Sequence, residues 1–458
     1  MSLDVPHELL SRYDQPGPRY TSYPTAPVWS PEFGPDDHRD SLVRANEQEG
    51  KGMSLYVHLP FCRSMCFYCG CSVIISRDTK NGDRYVAEVL QEAELARTTL
   101  QANRPVVQHH WGGGTPTFLT PEQIERLFKG LLAIYPHTED AEISIEVDPR
   151  VTSVRQLEVL RECGFNRISM GVQDFDEEVQ KAINRIQPFA QTRDLVEASR
   201  SLGFTSINLD MVYGLPHQTA EKFAHSIQQV LGLRPDRLAC YGYAHVPWLK
   251  KHQEVISVED LPRGSDKLDL YLLSLNAFQD AGYEAIGMDH FALPEDGLVK
   301  AANSGQLHRN FMGYATHQAE DMLSFGVTSI SEVAGAFAQN VKQLNQYREH
   351  LNAGRLPVER GMRRSEDDEK RRAIILDLMC RFSLDYDAHG GAEAFRQQYS
   401  SAIEALAPMA EDGLIELDDH GIRVTPIGRL FVRNVAMPFD AYLEKQRQAK
   451  KPMFSRTV

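Results

Sequence analysis

The sequence predicts an α/β fold: a partial (β/α)6 barrel of the triosephosphate-isomerase kind, preceded by an N-terminal segment and followed by a smaller, mostly helical, winged-helix-like domain. Three observations lead there. Six short apolar stretches alternate with amphipathic helical stretches between residues 53 and 244, three of those stretches are two-faced, and the chain changes character near residue 360. Repeated strand and helix units imply parallel crossovers, and six of them suit an open or closed barrel. The expected organisation is an N-terminal segment and lid over 1–50, a barrel domain over 51–360 and a C-terminal domain over 361–458.

Taken in order, the first element is the Pro/Tyr-rich stretch YDQPGPRYTSYPTAPVW (13–29), which has no period and precedes the first strand. It is expected to cross the barrel mouth as a lid, with Tyr13, Tyr20, Tyr23 and Trp29 covering a flat ligand and Arg19 pairing with a carboxylate. The strands are expected at MSLYVHL (53–59), VVQHHW (106–111), EISIEV (142–147), RISMGV (167–172), SINLDMVY (206–213) and RLACYGYA (237–244). Between them, RYVAEVLQEAELARTTL, PEQIERLFKGLLAIY, VRQLEVLRECG and AEKFAHSIQQVLGL read as helices.

Alternation in three strands sets polar against apolar residues. Glu142, Ser144, Glu146 and Asp148 oppose Ile143, Ile145 and Val147; Arg167, Ser169, Gly171 and Gln173 oppose Ile168, Met170 and Val172; Ser206, Asn208 and Asp210 oppose Ile207, Leu209 and Met211. Helices clad the outside of a barrel, so the apolar faces belong outward and the polar faces inward. An ordinary small barrel fills its interior with branched apolar side chains. This one is expected to line a polar cavity. A solvated antiparallel sheet gives the same alternation, but the intervening helices favour parallel crossovers. Beyond residue 360, MRRSEDDEKRRAIILDLMCRF reads as a charged amphipathic helix, and AIEALAPMAEDGLIELDDHGIRVTPIGRLFV as helix, strand, turn, strand, helix, with Asp-Asp-His-Gly at the turn.

A net charge of −14 argues against a nucleic-acid platform, and Lys/Arg and Asp/Glu nearly balance in the winged-helix-like stretch. Lys445, Arg447, Lys450, Lys451 and Arg456 form one basic run, read as a solvated terminal helix and frayed end. No apolar run is long enough to span a bilayer, and MSLDVPHELLSRYDQ lacks the pattern of a secretory signal. The protein is therefore expected in the cytoplasm, off the membrane, with reduced thiols.

Four of the seven cysteines crowd into HLPFCRSMCFYCGC (58–71). Cys163, Cys240 and Cys380 are isolated and read as ordinary packed residues. Structural zinc takes two separated ligand pairs, and no second pair follows. His109 and His110 are adjacent on a strand and point to opposite faces, so only one of them could join. Three thiolates on one loop, Cys62, Cys66 and Cys69, suit three corners of a [4Fe–4S] cluster with the fourth iron open. A zinc-dependent regulator with a winged helix remains the alternative.

Cys-x3-Cys-aromatic-x-Cys after the first strand of a partial barrel resembles the radical S-adenosylmethionine superfamily. PGPRYTSYPTA, YVHLPFC, HWGGGTPT, EISIEVDPR, MGVQDF, INLDMVYGLP, GMDHFA, LHRNF and the C-terminal module extend the resemblance, over nearly the whole chain, to the oxygen-independent coproporphyrinogen III oxidase family. The resemblance implies a [4Fe–4S] cluster on Cys62, Cys66 and Cys69, with Cys71 not ligating, and two S-adenosylmethionines. It implies that Tyr56, Tyr68, Gly113, Glu146 and Ile330 hold the cluster-bound one, with Gly112 in the same turn, and that Tyr56 and Glu146 form the catalytic set. Gly114, Thr115, Gln173, Arg185, Asp210 and Ala244 are implied for the second.

Each of these has a physical task. Gly112 to Gly114 allow close backbone approach, Asp210 can accept from ribose hydroxyls, Arg185 can fork a carboxylate, and Tyr68 can stack on adenine. Two positions depart from the family pattern, Tyr68 for a phenylalanine and Met312 for a glutamine. The implied activity is anaerobic decarboxylation of two propionates of coproporphyrinogen III to vinyl groups, giving protoporphyrinogen IX in haem synthesis. A flavodoxin-type electron donor and a monomeric state are expected. A haem-binding chaperone on the same radical core is the runner-up.

Overall fold

The computed structural model describes residues 5–316, 319, 321–447 and 454–457. Each of the six expected barrel strands is present, as β1 Met53–Leu59, β2 Val106–Gly113, β3 His137–Val147, β4 Arg167–Gln173, β5 Ser206–Tyr213 and β6 Arg237–Gly242. All neighbours among them pair in parallel and in chain order. The connecting helices include Lys80–Thr99, Pro121–Ile134, Val154–Cys163 and Ala220–Leu233. Local chemistry sets their starts. Thr120 and Ser153 each accept from the backbone three residues on, while Gln123 and Gln156 reach back, closing capping boxes.

The sheet is larger than the sequence reading. A seventh parallel strand, Asp321–Phe325, lies beside β1. Ile330–Val333, Ala336–Asn340 and Val358–Arg363 extend that side antiparallel, and His290–Ala292 and Glu284–Gly287 do so beyond β6. The last of these strands carries the sheet to Arg363, past the expected boundary at 360. The buried ion pair of Arg104 with Asp321 ties the seventh strand to the segment leading into β2.

The two-faced strands behave as expected. Ile145, Ile168, Met170, Ile207, Leu209 and Met211 are buried in the main core. Their polar neighbours point inward and satisfy one another. Gln108 donates to Glu142 at 2.9 Å, Arg167 pairs with Glu142, Asn208 donates to Asp210 at 2.7 Å and Ser169 donates to Asp210 at 3.0 Å. A buried polar network persists only when its members are paired, and this one closes the floor of the barrel.

The C-terminal module forms as read: helices Glu366–Arg381 and Ser400–Glu411, then strands Ile415–Leu417 and Gly421–Val424 pairing antiparallel. Ser383–Asp385 adds a third strand.

The N-terminal segment is not a free lid. Tyr13, Tyr20, Tyr23 and Trp29 are buried rather than turned to a ligand cavity. Tyr20 donates to Asp440, Tyr23 accepts from the Ala441 N–H at 3.0 Å, and Trp29 stacks on Phe337 at 5.0 Å. Helix Pro35–Ala45 covers the antiparallel extension of the sheet, burying Leu42 and Ala45. Aromatic side chains that can be covered by two domains gain more from that burial than from facing a wet mouth. Nor are the described residues 454–457 frayed. Residues 454–457 are tied to the N-terminal segment through Gly17 N–H on Ser455 O at 3.0 Å, Thr457 N–H on Gln15 O at 2.9 Å and the pair Arg456 with Asp14. The Arg433 guanidinium donates to the carbonyls of Gly17, Pro18 and Arg456 and clamps both segments. Lys450 and Lys451 lie outside the described residues.

Candidate active site at the barrel mouth

The cysteine loop leaves β1 and is sutured on both sides. Ile74 and Ser76 donate to Pro60 O and Cys62 O at 2.7 and 2.9 Å, and Phe67 N–H donates to Ile183 O at 2.9 Å. The segment after β6 grips the other side. Gln253 donates to Tyr68 O at 2.9 Å, Lys250 to Cys71 O at 3.0 Å, and the His252 ring lies 2.7 Å from Cys69 O. Phe67 and Tyr68 pack on a satellite core of Val179, Ile183, Val212, Leu215, Tyr243 and Ile256. Residues 63–73, which have no regular structure, are thereby held by contacts from β5, the segment after β6 and the helix Glu177–Ala182.

All four cysteines of this loop, Cys62, Cys66, Cys69 and Cys71, line one cavity of about 450 Å³. Tyr68, Gly113, Gly114, Thr115, Glu146, Gln173, Arg185, Asp210 and Ala244 line the same cavity. Tyr56 and Ile330 do not. They line a neighbouring cavity of about 430 Å³, which shares Gly113, Glu146, Cys71 and Tyr241 with the first. Glu146 thus stands between the two spaces, and its side chain is 47% exposed to them. Burial works against its charge, yet His110, with Nε2 3.5 Å from Oε1, and the Gly113 N–H, 3.1 Å from Oε2, hold its carboxyl below the usual range. His110 is oriented in turn by Ser144 Oγ at 2.7 Å and stacks on Tyr56, whose hydroxyl meets His58 Nδ1 at 3.2 Å. His109 points the other way, into the core, as expected of adjacent strand residues.

Two features of the glycine turn are required by geometry. Gly113 has φ +113°, open to few side chains, and presents its N–H to Glu146. Gly114 passes so close to the loop that a Cβ would lie 2.6 Å from the Pro60 carbonyl, and its N–H donates to Leu59 O at 2.8 Å. Thr115 then donates from its backbone to Phe61 O and sets Oγ1 3.4 Å from Cys62 Sγ. At the end of β4, Gln173 adopts φ +70°, a conformation costly for a side-chain-bearing residue, which marks a position held for its role rather than its comfort.

Asp148 and Arg150, inside the EVDPR motif but not singled out from sequence, complete the cysteine side. Asp148 bridges Arg150 at 2.7 Å and Arg185 at 3.2 Å, and both guanidiniums reach Cys66 Sγ, at 3.5 and 3.7 Å. Two cations therefore stand beside the Cys66 sulfur. Arg185 also donates to Gly171 O at 2.7 Å, while its buried Nε has no acceptor. Burial and the nearby Glu146 raise the Asp210 carboxyl to about 6, against hydrogen bonds from Asn208 and Ser169. Burial lifts the Cys62 thiol to about 11, and hydrogen bonding between Cys69 and Cys71 draws Cys69 down and pushes Cys71 up.

Four free cysteines around one cavity, a backbone cradle that a Cβ would fill, and an orphaned guanidinium nitrogen fit a [4Fe–4S] cluster on three of the thiols and an amino-acid-bearing cofactor. Among the described residues no three His, Cys, Asp or Glu side chains converge to hold a single metal ion, which is the arrangement a structural zinc needs. Cys163, Cys240 and Cys380 lie away from this cavity.

Residues 56–230 match the Radical SAM superfamily, and residues 365–431 match the HemN C-terminal domain. The chain is 43% identical over 457 residues to the oxygen-independent coproporphyrinogen III oxidase of Escherichia coli strain K12, covering 98% of each. It is 41% identical over 458 residues to that of Synechocystis, covering 98% of this chain and 97% of the relative. The solved structure of coproporphyrinogen III oxidase (HemN) from Escherichia coli, described as a radical SAM enzyme, superposes with a TM-score of 0.90 at 42% identity, over 96% of this chain and 100% of the other. With fold, cysteine loop and both terminal parts matched along the full length, this chain belongs to the oxygen-independent coproporphyrinogen III oxidase family of radical S-adenosylmethionine enzymes.

Proposed function

We propose that the protein converts two propionate side chains of coproporphyrinogen III to vinyl groups without oxygen, giving protoporphyrinogen IX for haem synthesis. Each propionate loses one hydrogen atom, carbon dioxide and one electron. The observation that carries the reading is the convergence of Cys62, Cys66, Cys69, Glu146, Arg185 and Asp210 on one cavity at the barrel mouth, in a chain that matches the oxidases end to end.

Cys62, Cys66 and Cys69 would hold the cluster, and Cys71 would not. Tyr56, Tyr68, Gly113, Glu146 and Ile330 would hold the S-adenosylmethionine bound to it, and Gly114, Thr115, Gln173, Arg185, Asp210 and Ala244 a second one. When bound, cluster and cofactor together supply abstraction of a hydrogen atom by a primary carbon radical. The chain's part is placement, because a reactive carbon centre must meet its target before any other group. Glu146, ionised and facing both cavities, is set to receive an ammonium group, with the Gly113 N–H fixing its orientation. Asp210 is set to accept from hydroxyls. The packed N-terminal segment contributes Arg19 and Thr21 to the wall of the Tyr56-side cavity, as a fixed wall rather than a moving lid. Arg19 is not the free anchor that its sequence position suggested, since it is paired with Asp289.

Among the described residues no helix is long and apolar enough to cross a membrane. The reading places the protein in the cytoplasm as a monomer, supplied with electrons by a flavodoxin-type donor. The chaperone and zinc-regulator alternatives find no observation in their favour. Anaerobically purified protein should carry iron and sulfide and, with reductant and S-adenosylmethionine, form 5′-deoxyadenosine and protoporphyrinogen IX. Cofactor cleavage without any porphyrinogen product would overturn the assignment of substrate.

A further inference from the structure

The cavity on the Tyr56 side of Glu146 holds an arginine without an ion-pair partner among the described residues. Arg309, on the strand His308–Asn310, lines it and is only 3% exposed. Its Nε and Nη2 donate to the Arg19 carbonyl at 3.3 and 3.2 Å, and its guanidinium lies 4.6 Å from the centre of the Tyr314 ring. Nη1 has no acceptor, and among the described residues no carboxylate comes within ion-pair distance of this guanidinium. The other cation of the cavity, Arg19, already has Asp289. His290, in the same wall, has an orphaned Nδ1 and is driven down to about 3 by burial and by Arg309, Arg19, Arg237 and Arg167, so it stays neutral and adds no charge beside Arg309.

A buried cation with no ion-pair partner and one unmade hydrogen bond is destabilising unless a ligand completes it. A guanidinium fork is matched to a carboxylate. Resting on the function proposed above, the substrate brings four propionates, and this cavity also holds Tyr56, Gly113 and Glu146. We propose that Arg309 binds the carboxylate of the propionate that is about to react, holding its β-carbon toward the Glu146 side of the cavity. The Asn-Phe-Met sequence that follows is part of the same device. Asn310 accepts the Met312 N–H at 2.9 Å and shapes the turn that presents Met312 to the cavity.

The test uses reconstituted holoenzyme and two unreactive probes, coproporphyrin III and its tetramethyl ester, titrated anaerobically by fluorescence. The wild type should prefer the free acid. Arg309→Gln should raise the free-acid Kd roughly ten- to hundredfold, the span of one charge-assisted hydrogen-bonded contact, while the ester changes little. Arg309→Lys should recover part of the preference. Met312→Glu, at a half-exposed turn position that leaves the Arg309 contacts in place, sets a fixed carboxylate in the cavity and should produce the same loss if Arg309→Gln fails to fold. Free-acid affinity unchanged in the folded variants would overturn the anchor while leaving the proposed function standing. A fall in bound S-adenosylmethionine with porphyrin affinity intact would overturn it in favour of the cofactor's own carboxylate. A wild type that binds neither porphyrin would overturn the substrate reading and the anchor with it.

Discussion

Replacing Gly114 by alanine asks how firmly the turn after β2 is pinned to the cysteine loop. The new Cβ would lie 2.6 Å from the carbonyl carbon and oxygen of Pro60 and 2.9 Å from the Phe61 oxygen. None of these atoms can swing away. Pro60 O accepts from Ile74 and Phe61 O from Thr115, at 2.7 and 2.9 Å. A relaxed carbon to oxygen contact needs about 3.3 Å, so the two segments must part by roughly 0.7 Å. That stretches the Gly114 to Leu59 bond, now 2.8 Å, and the Thr115 to Phe61 bond to the edge of hydrogen bonding or past it. At about 1 kcal/mol for each backbone bond, with overpacking strain added, the expected cost is roughly 2–3 kcal/mol. Thr115 would also leave Cys62 Sγ, so the loss reaches the first of the cysteines proposed to hold the cluster. The assay is urea unfolding of the unreconstituted protein together with iron and sulfide content after anaerobic reconstitution. Gly114→Ala should lower both the midpoint and the iron content. Wild-type values for both would show that loop and turn slide freely, and would refute the argument that backbone contact sets the site.

Four more outcomes follow from particular contacts. Alanine at Cys62, Cys66 or Cys69 should abolish cluster-bound iron, whereas Cys71→Ala should retain it; equal loss in all four would show that Cys71 ligates. Asp210→Ala should lower bound S-adenosylmethionine from two equivalents to one with iron unchanged, as should Arg185→Gln. Because the Asp210 carboxyl sits near 6 and must be ionised to accept two hydroxyls fully, the second equivalent should bind more tightly as pH rises through about 6, and Asp210→Asn should flatten that dependence. Deleting residues 1–29 removes four buried aromatic rings, each worth roughly 1.5–3 kcal/mol, a sum comparable with the whole stability of a domain. The truncated protein should fail to fold or to hold iron, and a well-folded, cluster-bearing truncation would restore the lid.

Local rules carried much of this protein into its sequence. The β1 to β6 strands are short two-faced or apolar runs, their helices begin at Thr120 and Ser153 with capping partners three residues on, and the spacing of Cys62, Cys66 and Cys69 marks one loop with three thiolates. Glu146, Gln173 and Asp210 are legible because side chains alternate along a strand, which assigns them to the barrel interior before any coordinate is known. Tertiary structure decided what depends on residues far apart in the chain. The seventh parallel strand is too short to stand out and gains its identity from pairing with β1. The aromatic residues of 13–29 read equally as a ligand cover or as core, and only the approach of the C-terminal domain to Tyr13, Tyr20 and Tyr23 and of Phe337 to Trp29 buries them. The two arginines on Cys66 come from the end of β3 and from the segment after the helix Glu177–Ala182, a juxtaposition that no spacing encodes. Arg309 and Arg19 look alike in sequence, and the difference between them is that folding brings Asp289 to one and leaves the other without an anion.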